Sequence, residues 1–139
     1  MLEIIFLIFV SGYFFISTAL VIGAKKKFPK IKEDDLPSVS VVVAVRNEET
    51  NMLSCLESLN KLIYPEDKLE IIIIDDASTD NTNELVTEFI KNKSYFKIIS
   101  LEEHESQTLK GKTRAMAEGI KISSGEIILT TDPDCTINP

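Results

Sequence analysis

Histidine is nearly absent from this chain of 139 residues, and cysteine is scarce. The one histidine, His104, stands in the polar run EEHESQ, so the chain cannot build a His-based catalytic triad or a histidine-rich metal site. The two cysteines, Cys55 and Cys135, lie far apart and lack the C-x-x-C spacing of zinc sites. We therefore interpret both cysteines as reduced thiols and not as a structural disulfide.

Positive charge is also in short supply. Lysine and arginine together number 15 against 22 aspartates and glutamates, which gives a formal net charge of -7. Nucleic acid needs clustered cations to meet its phosphates, so this balance predicts no nucleic-acid partner. An acidic surface of this kind is better suited to carboxylates that bind a metal ion. The chain length suits one compact domain at most.

Charged residues are missing from residues 4–24, which read IIFLIFVSGYFFISTALVIGA. A helix of about 21 residues is roughly 30 Å long, the hydrocarbon thickness of a bilayer. A cleaved signal peptide would have a basic start, a shorter apolar core and a small-residue cleavage site. The chain begins Met-Leu-Glu and its apolar core is longer, so we predict an uncleaved transmembrane anchor over residues 1–24.

Basic residues follow this segment, and only Glu3 precedes it. Basic flanks stay on the cytoplasmic side of a membrane, so everything after residue 25 is expected to face the cytosol. Residues 25–37 read as a basic and polar linker. Its basic residues are Lys25, Lys26, Lys27, Lys30 and Lys32.

Apolar strands alternate with amphipathic helices from residue 38 onward. Strands are predicted over residues 38–45, 70–75, 95–100 and 125–130, because these runs are short and rich in β-branched or aromatic residues. A helix with Met52, Leu56, Leu59 and Ile63 on one face follows the first strand. Asn81 to Glu84 resembles a capping box before a second helix, and a third is expected over residues 110–120. This order predicts an α/β fold with a mostly parallel sheet.

Polar residues stand directly after three of these strands. Residues 46–48 follow the first strand, Asp75 and Asp76 follow the second, and Asp132 and Asp134 follow the fourth. In open parallel sheets, ligands bind beyond the carboxyl ends of the strands. We therefore expect these side chains to meet at one edge of the sheet.

The paired acids of TTDPDC indicate a metal site. Asp132 and Asp134 are two residues apart, so in an extended segment both carboxylates would point to one side, and Pro133 would help to hold that extension. Hard oxygen ligands suit Mg²⁺ or Mn²⁺, which complete their shells with water and substrate phosphates. Such a metal neutralises the charge that develops on a departing phosphate group.

Four motifs occur in the order VVVAVRNEE, IIIIDDASTDNT, GKTRAMAEGI and GEIILTTDPDC. Together they resemble the family 2 glycosyltransferases with the nucleotide-sugar-binding GT-A fold, over residues 38–139. The likeness is greatest to the membrane-bound branch that includes cellulose and poly-N-acetylglucosamine synthases. It implies inverting, metal-dependent transfer from a nucleotide-diphospho-sugar, in particular a UDP-sugar, to a glycan or lipid acceptor. The fold implied is the Rossmann-like N-terminal half of a GT-A domain.

The resemblance also implies a role for each motif. Residues 44–48, among them Ala44, Arg46 and Glu48, would line the nucleotide base and ribose. Asp75 or Asp76 would form a hydrogen bond with the base or with the ribose. Arg46 stands where many relatives have an aromatic residue, although a guanidinium plane can stack as well. Lys112 or Arg114 would lie near the diphosphate. Asp134 would be the direct metal ligand, and Asp132, the other acid of the metal-binding pair, would lie nearer the sugar or ribose.

No catalytic base is assigned within the chain. The family resemblance places a carboxylate that accepts the acceptor's proton, and a QxxRW motif, downstream of Pro139. We therefore expect a domain truncated after the Asp-x-Asp motif, with apolar surface exposed near the fourth strand. A non-catalytic, membrane-tethered remnant that binds nucleotide sugars is the alternative.

Two other families share short motifs with the chain. DPDCT fits the DxDxT motif of dehalogenase-type phosphohydrolases, in which the first aspartate is a nucleophile. That motif opens the domain in those enzymes, and it would leave VRNEE and DDASTDNT unexplained. GKT at residues 111–113 lacks the P-loop glycine five residues earlier, where Ser106 stands.

Overall fold

A computed structural model describes residues 2–24, 31–102 and 111–137 of the chain. The chain divides into two compact units, residues 1–32 and residues 33–139. Among the sequence-based predictions, those for His104, for Lys110 and for all the linker lysines except Lys32 fall outside the described residues.

The first unit contains one long helix, α1, Leu2–Ala24. It has 23 residues, none of them buried, and by length and composition it is apolar enough to cross a membrane. An apolar surface on every side of a helix is typical of a segment that lies in lipid or in a protein core. The helix predicted over the uncharged run is therefore present, with a start that includes Leu2 and Glu3.

The second unit is built on a parallel sheet of four strands in the order β3-β2-β1-β4. The strands are β1 Val39–Val45, β2 Leu69–Asp75, β3 Phe96–Ser100 and β4 Ile127–Thr131. Its helices are α2 Glu49–Asn60, α3 Thr82–Ile90 and α4 Lys112–Ile122, with single 3-10 turns at Glu33–Asp35 and Glu66–Lys68. The predicted α/β architecture with a parallel sheet is confirmed, and each strand boundary lies within two residues of its prediction.

The two central strands are buried on both faces, which explains their unbroken runs of β-branched residues. Val41, Val43 and Val45 pack with the side of the sheet that α2 and α3 cover. Val42 and Ala44 point the other way, toward Ala115 of α4. Alternate side chains of β1 thus enter two separate cores, so a polar residue would be costly at most positions of this strand.

Helix α4 approaches the sheet closely at Gly119. A Cβ atom at this position would lie 2.3 Å from Val42 Cγ1 and 3.1 Å from Ile74 Cγ1. Both distances are shorter than ordinary van der Waals contact, and the first belongs to a fully buried side chain. The missing side chain of Gly119 therefore sets how near α4 lies to β1 and β2.

Two predictions about helix ends are wrong. Helix α2 ends at Asn60, and Ile63, which was placed on its apolar face, is 90% exposed. The Tyr64-Pro65 pair disfavours helix just beyond this point. The capping box at the start of α3 is not formed within the described residues: the side-chain amide of Asn81 donates to Glu49 on α2 instead.

Strand β4 carries apolar residues that the described residues leave exposed. Ile127, Ile128 and Leu129 are each more than a third exposed, and β4 pairs with β1 alone among the described strands. The exposed apolar surface expected near the fourth strand is thus present.

A carboxylate joins neighbouring strands at the edge of the sheet where the strands begin. Glu70 of β2 accepts hydrogen bonds from Ser40 Oγ at 2.5 Å and from Lys97 Nζ at 2.8 Å. Ser124, in the turn before β4, donates its backbone N–H and its hydroxyl to the same carboxylate, at 2.8 and 2.9 Å. Burial alone would raise the pKa of Glu70, but the donors, led by Lys97, outweigh it and lower the pKa to about 2.

This network predicts an acid-sensitive contribution to stability. The pKa of Glu70 is about 2 in the folded chain against 4.5 for an unperturbed glutamate. Its stabilisation is therefore fully present above pH 4.5 and is lost as the pH falls toward 2. Replacing Glu70 by Gln should lower the free energy of unfolding at pH 7 by about 1–2 kcal/mol, and the difference from wild type should shrink below pH 4.5.

Urea unfolding of the full chain in detergent, followed by circular dichroism at pH 7 and pH 3, measures this effect. Glu88→Gln is the matched control, because Glu88 pairs only with Lys91 on the exposed face of α3 among the contacts described. A stability difference for Glu70→Gln that stays constant between the two pH values would contradict the role given to this carboxylate.

Candidate active site

A cavity of about 160 Å³ opens at the edge of the sheet where the strands end. We call it the rim cavity. Five of the residues predicted for the site line it, and three neighbours complete the wall. The predicted ones are Ala44, Arg46, Glu48, Asp76 and Lys112, and the others are Val45, Ala115 and Pro133. Asp75, Arg114, Asp132 and Asp134 are not among its lining residues.

Asp75, the last residue of β2, is committed to the loop that follows it. Its Oδ1 atom accepts the backbone N–H of Ser78 at 3.0 Å, and Oδ2 accepts the side-chain amide of Asn83 at 2.9 Å. Asn83 also donates to Ser100 Oγ at the end of β3, at 2.7 Å. Both oxygens accept hydrogen bonds from the loop and the start of α3, so the Asp75 carboxylate stabilises this turn.

Asp76 has a different environment, although it is the next residue. Arg114 places Nε at 3.1 Å and Nη2 at 2.5 Å from the Oδ1 atom of Asp76. Among the described residues, Asp76 Oδ2 is the one buried side-chain oxygen without a hydrogen-bond partner, and its nearest ion-pair contact is Arg46 Nη1 at 3.7 Å. A buried carboxylate oxygen without a donor is costly, and this one lies where it can accept a hydrogen bond from the rim cavity.

The loops after β1 and β2 are joined by hydrogen bonds. Asn47, which has a left-handed backbone (φ 55°), accepts the backbone N–H of Thr79 on its Oδ1 atom at 2.7 Å. The backbone N–H of Glu48 donates to Thr82 Oγ1 at 2.8 Å. Asp80 bridges the two helix starts, because it accepts the N–H of Thr82 and that of Glu49. These contacts fix the wall on which Arg46 and Glu48 stand, and asparagine's tolerance of positive φ was the one signal for them in the sequence.

The Asp132–Cys135 segment is a turn, which corrects the extended conformation predicted for it. The carbonyl of Asp132 accepts the backbone N–H of Cys135 at 3.1 Å. Aspartate at the first position and proline at the second suit a type I turn as well as they suit an extended strand end. The side chain of Asp132 pairs with Lys112, with Oδ1 and Nζ 2.5 Å apart, and this hydrogen bond raises the pKa of Lys112.

Asp132 and Asp134 together offer oxygen ligands on the surface of this turn. Asp134 is exposed, and the described residues contain no cluster of three or more histidine, cysteine or acidic side chains. Mg²⁺ and Mn²⁺ commonly take only one or two carboxylates from the protein and fill their shells with water and phosphate oxygens. The donor set therefore fits a metal ion shared with a phosphate-bearing ligand, and it does not fit a closed structural site.

Cys55 lies beneath the turn, a placement that the sequence did not indicate. Its Sγ atom is 3.9 Å from the carbonyl oxygen of Asp132, and the residue is 1% exposed. Burial, followed by the nearby Cys135 and Asp134, raises the pKa of the Cys55 thiol to about 11. The turn thus closes over the side of α2 that faces the sheet, while Cys135 stays exposed.

Comparison with known proteins decides the family. The sequence profile of glycosyl transferase family 2 matches residues 40–139. The chain belongs to this family. This confirms the resemblance drawn from the four motifs, and it sets aside the phosphohydrolase interpretation of DPDCT.

Curated relatives include two bacterial proteins of greater length. A probable glycosyltransferase of Bacillus subtilis, YdaM, is 34% identical over 114 residues, which are 81% of this chain and 27% of that protein. The poly-beta-1,6-N-acetyl-D-glucosamine synthase of Staphylococcus epidermidis is 35% identical over 137 residues, 94% of this chain and 31% of the synthase. The chain therefore spans less than a third of the length of these relatives.

Solved structures confirm the predicted GT-A type of α/β fold. Residues 1–349 of Staphylococcus aureus TarS, solved in complex with UDP-GlcNAc, match 73% of this chain and 28% of that chain with a TM-score of 0.59 and 33% identity. The mannosyltransferase PcManGT of Pyrobaculum calidifontis, solved with GDP-Man and Mn²⁺, matches 81% of this chain and 32% of its own with a TM-score of 0.67 and 28% identity.

The burial of Cys55 predicts that the two thiols react at different rates. Iodoacetamide should alkylate Cys135 at least about tenfold faster than Cys55 in the folded chain, since only the exposed thiol meets the reagent without local opening. Mass spectrometry of timed samples measures both rates, and urea should make them similar. Cys135→Ser should remove the fast reaction. Equal rates in the folded chain would show that the Asp132–Cys135 turn does not cover α2.

Proposed function

We propose that the rim cavity binds the nucleotide of a nucleotide-diphospho-sugar, in particular a UDP-sugar, for inverting, metal-dependent transfer to a glycan or lipid acceptor. The observation that carries this proposal is the buried Oδ2 atom of Asp76 at the cavity wall, which has no hydrogen-bond partner among the described residues. A nucleoside supplies N–H and O–H donors on a flat, partly apolar body, which suits a small cavity with one strong acceptor. Family membership and the nucleotide-bound neighbours support the same ligand class.

The nucleoside end of the ligand is assigned to residues that line the cavity. Asp76 accepts a hydrogen bond from the base or ribose, and Asp75 is left to its structural role in the loop. Ala44 and Glu48 form the wall beside it, and Arg46 offers a guanidinium plane on which the base can stack.

The diphosphate is assigned to Lys112 in preference to Arg114. The guanidinium of Arg114 is buried and bonded to Asp76, whereas Lys112 lines the cavity and carries its charge beside the Asp132–Cys135 turn. An ammonium group on a flexible stem is suited to phosphate oxygens. The ammonium group of Lys112 is charged at neutral pH, and its hydrogen bond to Asp132 raises its pKa further.

Asp134 and Asp132 are the residues that would hold Mg²⁺ or Mn²⁺, with Asp134 as the direct ligand and Asp132 nearer the sugar or ribose. When bound, such an ion offsets the negative charge of the departing nucleoside diphosphate. The turn supplies the two carboxylates at its surface, and Pro133 between them also forms part of the cavity wall. The hydrogen bond from Lys112 orients the carboxylate of Asp132. A substitution at Lys112 would therefore remove the lysine's positive charge and also release the negatively charged side chain of Asp132.

A pair of substitutions tests the metal assignment. Asp134→Asn should weaken the Mn²⁺-dependent binding of UDP about tenfold or more, the loss expected for a charged ligand contact, whereas Asp67→Asn should leave it nearly unchanged. Asp67 is the matched control because it is exposed in the 3-10 turn before β2, at the edge of the sheet where the strands begin. Calorimetry of the full chain in detergent, with and without a chelator, measures both. Equal losses, or binding that ignores the chelator, would contradict the assignment.

We further propose that α1 anchors the chain in a membrane with residues 33–139 on the cytoplasmic side. The absence of charge from residues 4–24 supports the anchor, and the lysines that follow support this orientation. The residues that bind the donor would then face the compartment in which nucleotide sugars are supplied.

A reporter fused after Pro139 tests this topology in a bacterial host. Green fluorescent protein should fluoresce at this position and alkaline phosphatase should stay inactive, because the basic flank is retained in the cytosol. As a control, the five lysines from Lys25 to Lys32 are changed to glutamine and basic residues are added before Glu3. This change should reverse the membrane orientation of part of the protein population. An active phosphatase in the unaltered chain, or a mature N-terminus near Lys25, would overturn the proposal.

A further inference from the structure

The ion pair between Arg114 and Asp76 has an unusual geometry. Arginine commonly binds a carboxylate as a fork, with one nitrogen on each oxygen. In this chain Nε and Nη2 of Arg114 both approach the same atom, Oδ1 of Asp76, at 3.1 and 2.5 Å. The other oxygen, Oδ2, is therefore left to the rim cavity, although the Asp76 side chain is only 4% exposed.

A backbone carbonyl in the loop after β3 helps to hold the guanidinium in this orientation. Nη1 of Arg114 donates to the carbonyl of Glu102 at 2.9 Å. The Arg114 side chain is 11% exposed, so its plane has little freedom to turn. A lysine at this position could neutralise Asp76 but could not fix the plane of its carboxylate, because an ammonium group is a point charge.

We infer that Arg114 is a positioning residue for the nucleoside: it aims Asp76 Oδ2 at the ligand and does not contact the diphosphate. This inference rests on the proposed function. It assigns different roles to two cations that stand two residues apart on α4. Lys112 binds the diphosphate, and Arg114 acts on the nucleoside through Asp76. The two tasks can be separated, because uridine has the nucleoside alone and UDP has both parts.

The experiment compares uridine and UDP on the full chain in detergent with Mn²⁺, using ligand-observed NMR titrations. Arg114→Lys should weaken both ligands by the same factor, about tenfold, the size expected for one hydrogen bond to a charged group. Lys112→Gln is the matched variant, and it should weaken UDP while uridine keeps its wild-type affinity. This crossed pattern assigns the two neighbouring cations to different parts of the ligand, and the double-mutant cycle with Asp76 distinguishes positioning from a purely structural role.

A double-mutant cycle adds a second test. In an Asp76→Asn background, Arg114→Lys should cause no further loss of uridine binding, because the group that Arg114 orients has been altered. If Arg114→Lys unfolds the chain, which circular dichroism would reveal, the doubly neutral Asp76→Asn, Arg114→Gln variant removes the buried charges together. That variant should lose uridine binding to the same extent as Asp76→Asn alone.

The outcomes separate this inference from the proposed function. An Arg114→Lys variant that keeps uridine but loses UDP would place the arginine at the diphosphate and overturn the inference, while nucleotide binding itself would stand. Additive losses in the cycle would also overturn it. A wild-type chain that binds neither uridine nor UDP would overturn the proposed function, and the inference with it.

Discussion

The buried ion pair between Asp76 and Arg114 joins the end of β2 to the start of α4, and the arrangement of the site depends on it. Removing one partner would strand a charge in the interior, which costs several kcal/mol in proteins generally. The pair therefore commits two elements to each other at the point where the rim cavity opens. The cavity-lining residues of β1 and the turn after β4 then surround a carboxylate, that of Asp76, whose position is fixed.

Much of the fold could be predicted because burial on both faces leaves a plain signal in the sequence. The runs VSVVVAV and LEIIIID are the two central strands, and their nearly unbroken apolar character follows from having helices on both sides. Ile63 was misplaced because its spacing fits the apolar face of α2, while the backbone leaves the helix three residues earlier. Periodicity reports which residues are apolar and does not report where a helix ends.

The sequence predicted that polar side chains would meet at one edge of the sheet, but it did not predict which contacts each of them makes. Asp75 and Asp76 are identical side chains at neighbouring positions, and they differ in the partners they meet, Asn83 for one and Arg114 for the other. Those partners lie at quite different distances along the chain, and no local pattern marks them. The Asp-Pro-Asp segment was ambiguous for another reason, because proline favours the φ value of both an extended strand end and a turn.

Gly119 has a consequence that reaches the other end of its helix. Since a single methyl group there would collide with Val42, any larger residue would lift α4 off the sheet or tilt it. The same helix begins with Lys112 and contains Arg114, so such a shift would move both cations against partners held by the strands. A substitution at this glycine that left the fold intact would therefore still disturb the ion pairs that Lys112 and Arg114 make with Asp132 and Asp76.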